Sequence, residues 1–112
     1  MKSILGLVTL FVISFSLRAA DCETPTSKER FTSLYETVKT TTADQQKYML
    51  IAAYAKRECI TVSQLSDFLD LIENHKLKIS TAQAAYDHLF DLENIDQLTT
   101  EFTEYEKSVI KK

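Results

Sequence analysis

The run Ile60-Thr61-Val62-Ser63-Gln64-Leu65-Ser66-Asp67-Phe68-Leu69-Asp70-Leu71-Ile72 decides the fold class. Thr61 followed three residues later by Gln64 is a capping box. The Thr hydroxyl accepts from the backbone of the third helical residue, and the side chain of that residue returns a bond to the cap's own N–H. Behind the box, Leu65, Phe68, Leu69 and Ile72 recur three and four apart, which places them on one stripe of a helix. The stripe gives out at Glu73-Asn74-His75.

Similar signals lie on both sides of this run. Towards the N-terminus, Thr42-x-x-Gln45 predicts a helix with Tyr48, Ile51, Ala52 and Ala55 buried, reaching about Arg57. Tyr54 falls off that stripe and is expected at the surface. Earlier still, Pro25 and the box Thr26-x-x-Glu29 predict a first helix that buries Phe31, Leu34, Tyr35 and Val38 and ends at Thr40-Thr41-Thr42. Towards the C-terminus, a fourth helix is expected from about Lys78 through Ala82, Ala85, Tyr86 and Leu89. Asp91 to Asn94 then makes a turn, and Asp91 or Asn94 is expected to cap a fifth helix carrying Ile95, Leu98 and Phe102. A short last helix puts Tyr105, Val109 and Ile110 on the core. The only glycine is Gly6 and the only proline Pro25, so the tight turns of β-hairpins have no residues to form them. The expected fold is all-α: a compact array of five or six short helices in antiparallel pairs. Phe31, Leu34, Tyr35 and Val38 also superpose on Leu65, Phe68, Leu69 and Ile72 at a constant offset of 34 residues. An internal repeat and the general likeness of two amphipathic helices both account for that.

The chain opens differently. Met1-Lys2 precedes an almost unbroken apolar run from Ile4 to Leu17, closed by Arg18-Ala19-Ala20-Asp21. This is the pattern of a signal peptide over residues 1–20, cleaved after Ala19 or Ala20, which leaves one domain over 21–112. The apolar core is shorter than the roughly 20 residues that a spanning helix needs. Asp21 occupies the place where a lipid-modified cysteine requires a small neighbour. Behind an export signal, Cys22 and Cys59 are expected to form a disulfide.

Lys and Arg number 13 against 16 Asp and Glu, a net charge of −3. Losing Lys2 and Arg18 with the leader deepens it by two units. Nucleic-acid binding is thereby disfavoured, since it relies on clustered cations. A domain without glycine can hold neither a Gly-x-Ser-x-Gly elbow nor a phosphate loop. His75 and His88 have no closed set of metal ligands at suitable spacing. Asp91-x-Glu93-Asn94-x-Asp96 lacks the turning glycine of a calcium loop and has Phe102 where a closing Glu belongs. No catalytic residue, cofactor or metal is therefore expected. Residues 87–106 carry seven carboxylates and no Lys or Arg, which suits either a basic partner or a solvated face. Tyr54, Asp87, Glu93 and Glu101 form the candidate partner surface.

From Ile60-Thr61-x-x-Gln64 through Leu71-Ile72, Lys78-Ile79, Ala82, Ala85-Tyr86, Asp91-x-x-Asn94, Leu98 and Phe102, the chain resembles the domain of unknown function catalogued as family 4476. Phe31 with Leu34, and the two cysteines, fit as well. Asn74 departs from the pattern, which leads one to expect an aromatic residue there. The resemblance implies an all-helical exported domain and brings no activity, cofactor or catalytic residue. Two functions are compatible with these readings. One is an exported interaction or structural module acting on a protein or envelope partner. The other is a carrier of a small apolar ligand, held in a cavity lined by Met49, Phe68, Tyr86 and Phe90.

Overall fold

A computed structural model of the chain describes residues 22–98 and 102–112; the leader, its cleavage site and Glu101 lie outside them. Among the described residues there are five α-helices, one 3-10 helix and no strand. We number the helices α1 (Lys28–Lys39), α2 (Asp44–Arg57), α3 (Val62–Leu69), α4 (His75–Tyr86) and α5 (Glu104–Ile110). The 3-10 helix spans Leu92–Gln97, between α4 and α5.

α3 starts as its sequence dictates. The Thr61 hydroxyl accepts from Gln64 N–H at 3.1 Å, and Gln64 Oε1 accepts from Thr61 N–H at 3.0 Å. α5 has the same device in Thr103 and Glu106, which local spacing also contains.

The caps expected for the first two helices do not form. α1 is capped by Ser27, whose hydroxyl accepts from Arg30 N–H. Thr26 stays outside because its own N–H donates to the Cys59 carbonyl at 2.7 Å, which holds that residue beside the α2–α3 junction. α2 begins after Ala43 without a side-chain cap, and Thr42 is exposed. Asp44, in the first turn of α2, instead reaches across to accept the N–H groups of Glu73 and Asn74 at 3.1 and 2.8 Å. That contact sets the start of α4. Asn74 then caps α4 by accepting from Leu77 N–H, so the helix begins at His75 rather than near Lys78. Asn74, where the resemblance led one to expect an aromatic residue, is thus a working cap.

The segment expected as a fifth α-helix is a 3-10 turn. Its residues Ile95 and Leu98 are nevertheless buried, as is Phe102 beyond it. Tyr105, expected on the core, is 76% exposed.

Arg30 pairs with Glu58 at 2.7 Å, joining the start of α1 to the end of α2, so these two helices run antiparallel. The broadest helix contact, however, joins α2 and α4, which are not consecutive. Asp44 ties their starts, and Phe90 N–H donating to Ile60 C=O at 2.8 Å ties the segments that follow them. α2 and α4 therefore run parallel, with α3 as the return between them.

Phe68, fully buried, is the centre of the core, with the rings of Phe31, Tyr54 and Tyr35 at 4.9, 6.2 and 6.4 Å. Tyr54, expected at the surface, is only 8% exposed. α2 packs against α1 and α4 at once, so its buried arc is wider than the single stripe that periodicity assumes.

Candidate functional site

Most of the polar side chains marked by the sequence converge at the N-terminus of α3. The disulfide Cys22–Cys59 closes the first side, with Cα atoms 5.5 Å apart across a separation of 37 residues. Thr26 follows, its N–H on Cys59 C=O and its own C=O accepting from Gln64 Nε2 at 3.1 Å. Gln64 and Thr61 form the capping box. Val62, the first residue of α3, has an N–H that no bond within the helix can satisfy. Asp91 Oδ1 accepts it at 2.8 Å.

Asp91 is therefore a cap, but not of the helix expected. It stands before the 3-10 turn and its side chain accepts from none of that turn's backbone N–H groups as a cap. Its carboxylate serves α3, while Asn94 Nδ2 donates to its second oxygen at 3.1 Å. Asn94 thus supports the cap rather than being one.

The result is a fixed loop over residues 87–93. Leu89 is buried, Phe90 N–H is bonded to Ile60, Asp91 is turned inward, and the Cys22 sulfur lies 3.9 Å from the His88 carbonyl. The residues on either side of Asp91 remain at the surface. Phe90 is 38% exposed and Leu92 37%. Sequence reasoning missed this pair. The available signal was Leu89 beside Phe90, two large apolar residues in succession that one helical stripe cannot both bury.

The acidic stretch is largely accounted for by its neighbours. Lys111 pairs with Asp96 at 3.1 Å and Lys107 with Glu104 at 3.0 Å. Glu106 accepts from Thr103 N–H and sits 3.2 Å from His75 Nε2; the backbone bond, with His75 assisting, lowers the Glu106 pKa. Asp87 and Asp91 do not share a solvated helix face, since α4 ends at Tyr86 and Asp91 turns inward. Asp87 and Glu93 are exposed on the loop. Of the candidate partner surface, then, Asp87 and Glu93 lie together in the chain, and Tyr54 is in the core.

Elsewhere, the bond from Arg30 holds the Glu58 carboxyl below its usual range. Partial desolvation, with Asp70 nearby, raises that of Asp67, which is exposed overall. Among the described residues no group of three or more His, Cys, Asp or Glu is placed to hold a metal ion. None of their helices is long and apolar enough to cross a membrane.

The four side chains expected to line an apolar cavity are dispersed. Phe68 is enclosed by aromatic rings and Phe90 faces solvent. Met49, 59% exposed, borders an open depression with Thr41, Gln46 and Leu50.

Neither the curated proteins nor the solved structures contain a match to the chain. The model of one protein family, described as "Domain of unknown function (DUF4476)", matches residues 25–112, from just before α1 to the last residue. That match spans the core and every residue of the hub around α3 except Cys22, and the chain belongs to this family.

Proposed function

We propose that the chain is an exported, non-enzymatic interaction module that docks a protein partner through its 87–93 loop. The observation that carries this reading is the rigid display of Phe90 and Leu92. Five tethers fix the loop and its base: the disulfide, the Thr26–Cys59 and Phe90–Ile60 backbone bonds, and both bonds to Asp91. A loop held by a scaffold loses little conformational entropy on binding, and an exposed aromatic side chain makes an effective anchor. The disulfide fits an oxidising, extracytoplasmic compartment.

The test uses a photoreactive amino acid placed at Phe90, Leu92 or Glu36 of the protein produced in its own cells. Glu36 is exposed on α1 and serves as the control. Positions 90 and 92 should give the same discrete adduct and position 36 none. Absence of an adduct at 90 and 92, or the same adduct from all three, defeats the reading.

A further inference from the structure

We infer that the partner's contact surface is cationic: an apolar cleft rimmed by Lys or Arg side chains. The inference rests on the docking reading above and adds the chemistry of what docks.

Its basis is the charge that the chain places next to the two exposed apolar residues. Asp87 precedes Phe90 by three positions and Glu93 directly follows Leu92, and both carboxylates are exposed. The disulfide adds a third acid from a distant part of the chain. Cys22 lies against the His88 carbonyl, so the exposed Glu23 next to it is carried to the same side of the molecule. No Lys or Arg occurs between residues 87 and 106. The next cations along the chain, Lys107 and Lys111, are held by Glu104 and Asp96. Among the described residues, Asp87 and Glu93 belong to no ion pair.

Three kinds of surface can be compared against this arrangement. An anionic one, whether a phosphate backbone or an acidic lipid headgroup layer, meets like charge before and after the apolar pair in the chain. An uncharged apolar cleft would cover Phe90 and Leu92 but strip water from Asp87 and Glu93 without replacing it. A cleft with a cationic rim covers the apolar pair and leaves each carboxylate a partner at the wetter edge, the usual division of an interface into dry core and polar rim. The field of the acids would also steer such a partner towards the loop.

The test uses the oxidised, exported protein and three synthetic helical peptides: amphipathic Leu–Lys, its Leu–Glu counterpart, and a Ser–Lys peptide with the apolar face removed. Binding is read by fluorescence anisotropy, and the site by amide chemical-shift changes. The Leu–Lys peptide should bind and shift residues 87–93, while the other two bind at least about tenfold more weakly. Its affinity should fall as salt rises from about 0.05 to about 0.3 M. Asp87→Lys with Glu93→Lys should weaken it by about tenfold or more, and Asp87→Asn with Glu93→Gln by less. These positions are exposed, and a circular dichroism spectrum checks that each variant is folded. Equal binding of the Leu–Glu peptide, shifts centred on the Thr41–Leu50 depression, or an unchanged affinity in the Lys variant overturns the inference.

The photocrosslinking adduct separates this failure from failure of the docking reading. If the Lys variant keeps the adduct and Phe90→Ala with Leu92→Ala loses it, the loop docks but its charge does not choose the partner. If the Ala variant keeps it, the docking reading itself is wrong.

Discussion

Asp91→Ala removes one carboxylate and with it two bonds that start 29 and 3 residues away in the chain, from Val62 N–H and Asn94 Nδ2. The Val62 N–H lies at the start of a helix of only 8 residues, and the site is partly buried, so water replaces the lost acceptor poorly. Losing a helix N-cap typically costs about 1 kcal/mol. Losing a hydrogen bond to a charged group costs about 1.5–3 kcal/mol. A negative charge at a helix N-terminus contributes about 0.3–1 kcal/mol. These figures describe one carboxylate from three sides and are not additive, so about 2 kcal/mol is the expected loss. For a domain of this size that corresponds to a melting point lower by roughly 8–16 °C. Asp91→Asn keeps one acceptor oxygen for Val62 and should cost about half as much. Urea unfolding of the oxidised protein at pH 7 gives the comparison, provided the slope is unchanged between variants. A change within about 0.5 kcal/mol for Asp91→Ala, the ordinary range for a surface substitution, would refute the assignment of Asp91 as the cap of α3.

Thr61→Ala should lower stability by about 1 kcal/mol in the same assay, since it opens the capping box from the other side. Cys59→Ser should cost about 4 kcal/mol by the loop-entropy relation for a separation of 37 residues, and both cysteines of the unreduced, denatured protein should resist alkylation. Glu58 and Glu106 have folded-state pKa values below the ordinary 4.5, so their contributions are complete above that pH and are lost as pH falls through the lower folded values. Glu58→Gln should therefore flatten the acid limb of a stability-against-pH profile. Asp67 behaves in the opposite sense, because its folded pKa lies above the ordinary 3.8 and its ionised form weakens the fold. Asp67→Asn should raise the melting point slightly at pH 7, with the gain shrinking as pH falls below the raised value; an unchanged or lower melting point counts against the partial desolvation of that carboxyl.

The helices were legible where their signals are local. Thr61 and Gln64 are three residues apart, and their bonds are those that the spacing requires. The apolar stripes of α1 and α3 are likewise properties of one helix, and Leu34, Val38, Leu65, Phe68 and Leu69 are all buried, as is Ile72, which the stripe placed on α3 but which lies just past its end. Periodicity misplaced Tyr54 because a stripe presumes one neighbour, and α2 has two. It also gave the 92–97 segment the wrong helix type. Ile95, Leu98 and Phe102 are buried, but the spacing of three buried residues does not distinguish an α-helix from a tighter 3-10 turn followed by other chain.

Beyond the capping box, the polar hub was the least legible part, because Thr26 and Asp91 act away from the elements they precede. Thr26 and Asp91 both have the composition and place of caps for the helices that follow them, yet each is drawn to the start of α3, 38 and 29 residues away in the bonds concerned. The reason lies in the length of α3. A helix of two turns is too short to persist on its own propensity, and its N-terminus is where unsatisfied N–H groups collect. Holding it takes acceptors from both sides of the chain. The disulfide sets residues 22–26 on one side, Thr26 C=O fixes the Gln64 side chain, and Asp91 closes the other side. The order of the exposed loop is thereby coupled to the order of α3. Whatever loosens the helix start, whether loss of the Asp91 carboxylate or reduction of the disulfide, should also free Phe90 and Leu92 and raise the entropy cost of the docking proposed for them. On the proposed reading, export and recognition would meet at this one junction, since the bridge that an oxidising compartment preserves is the first tether of the surface proposed to bind.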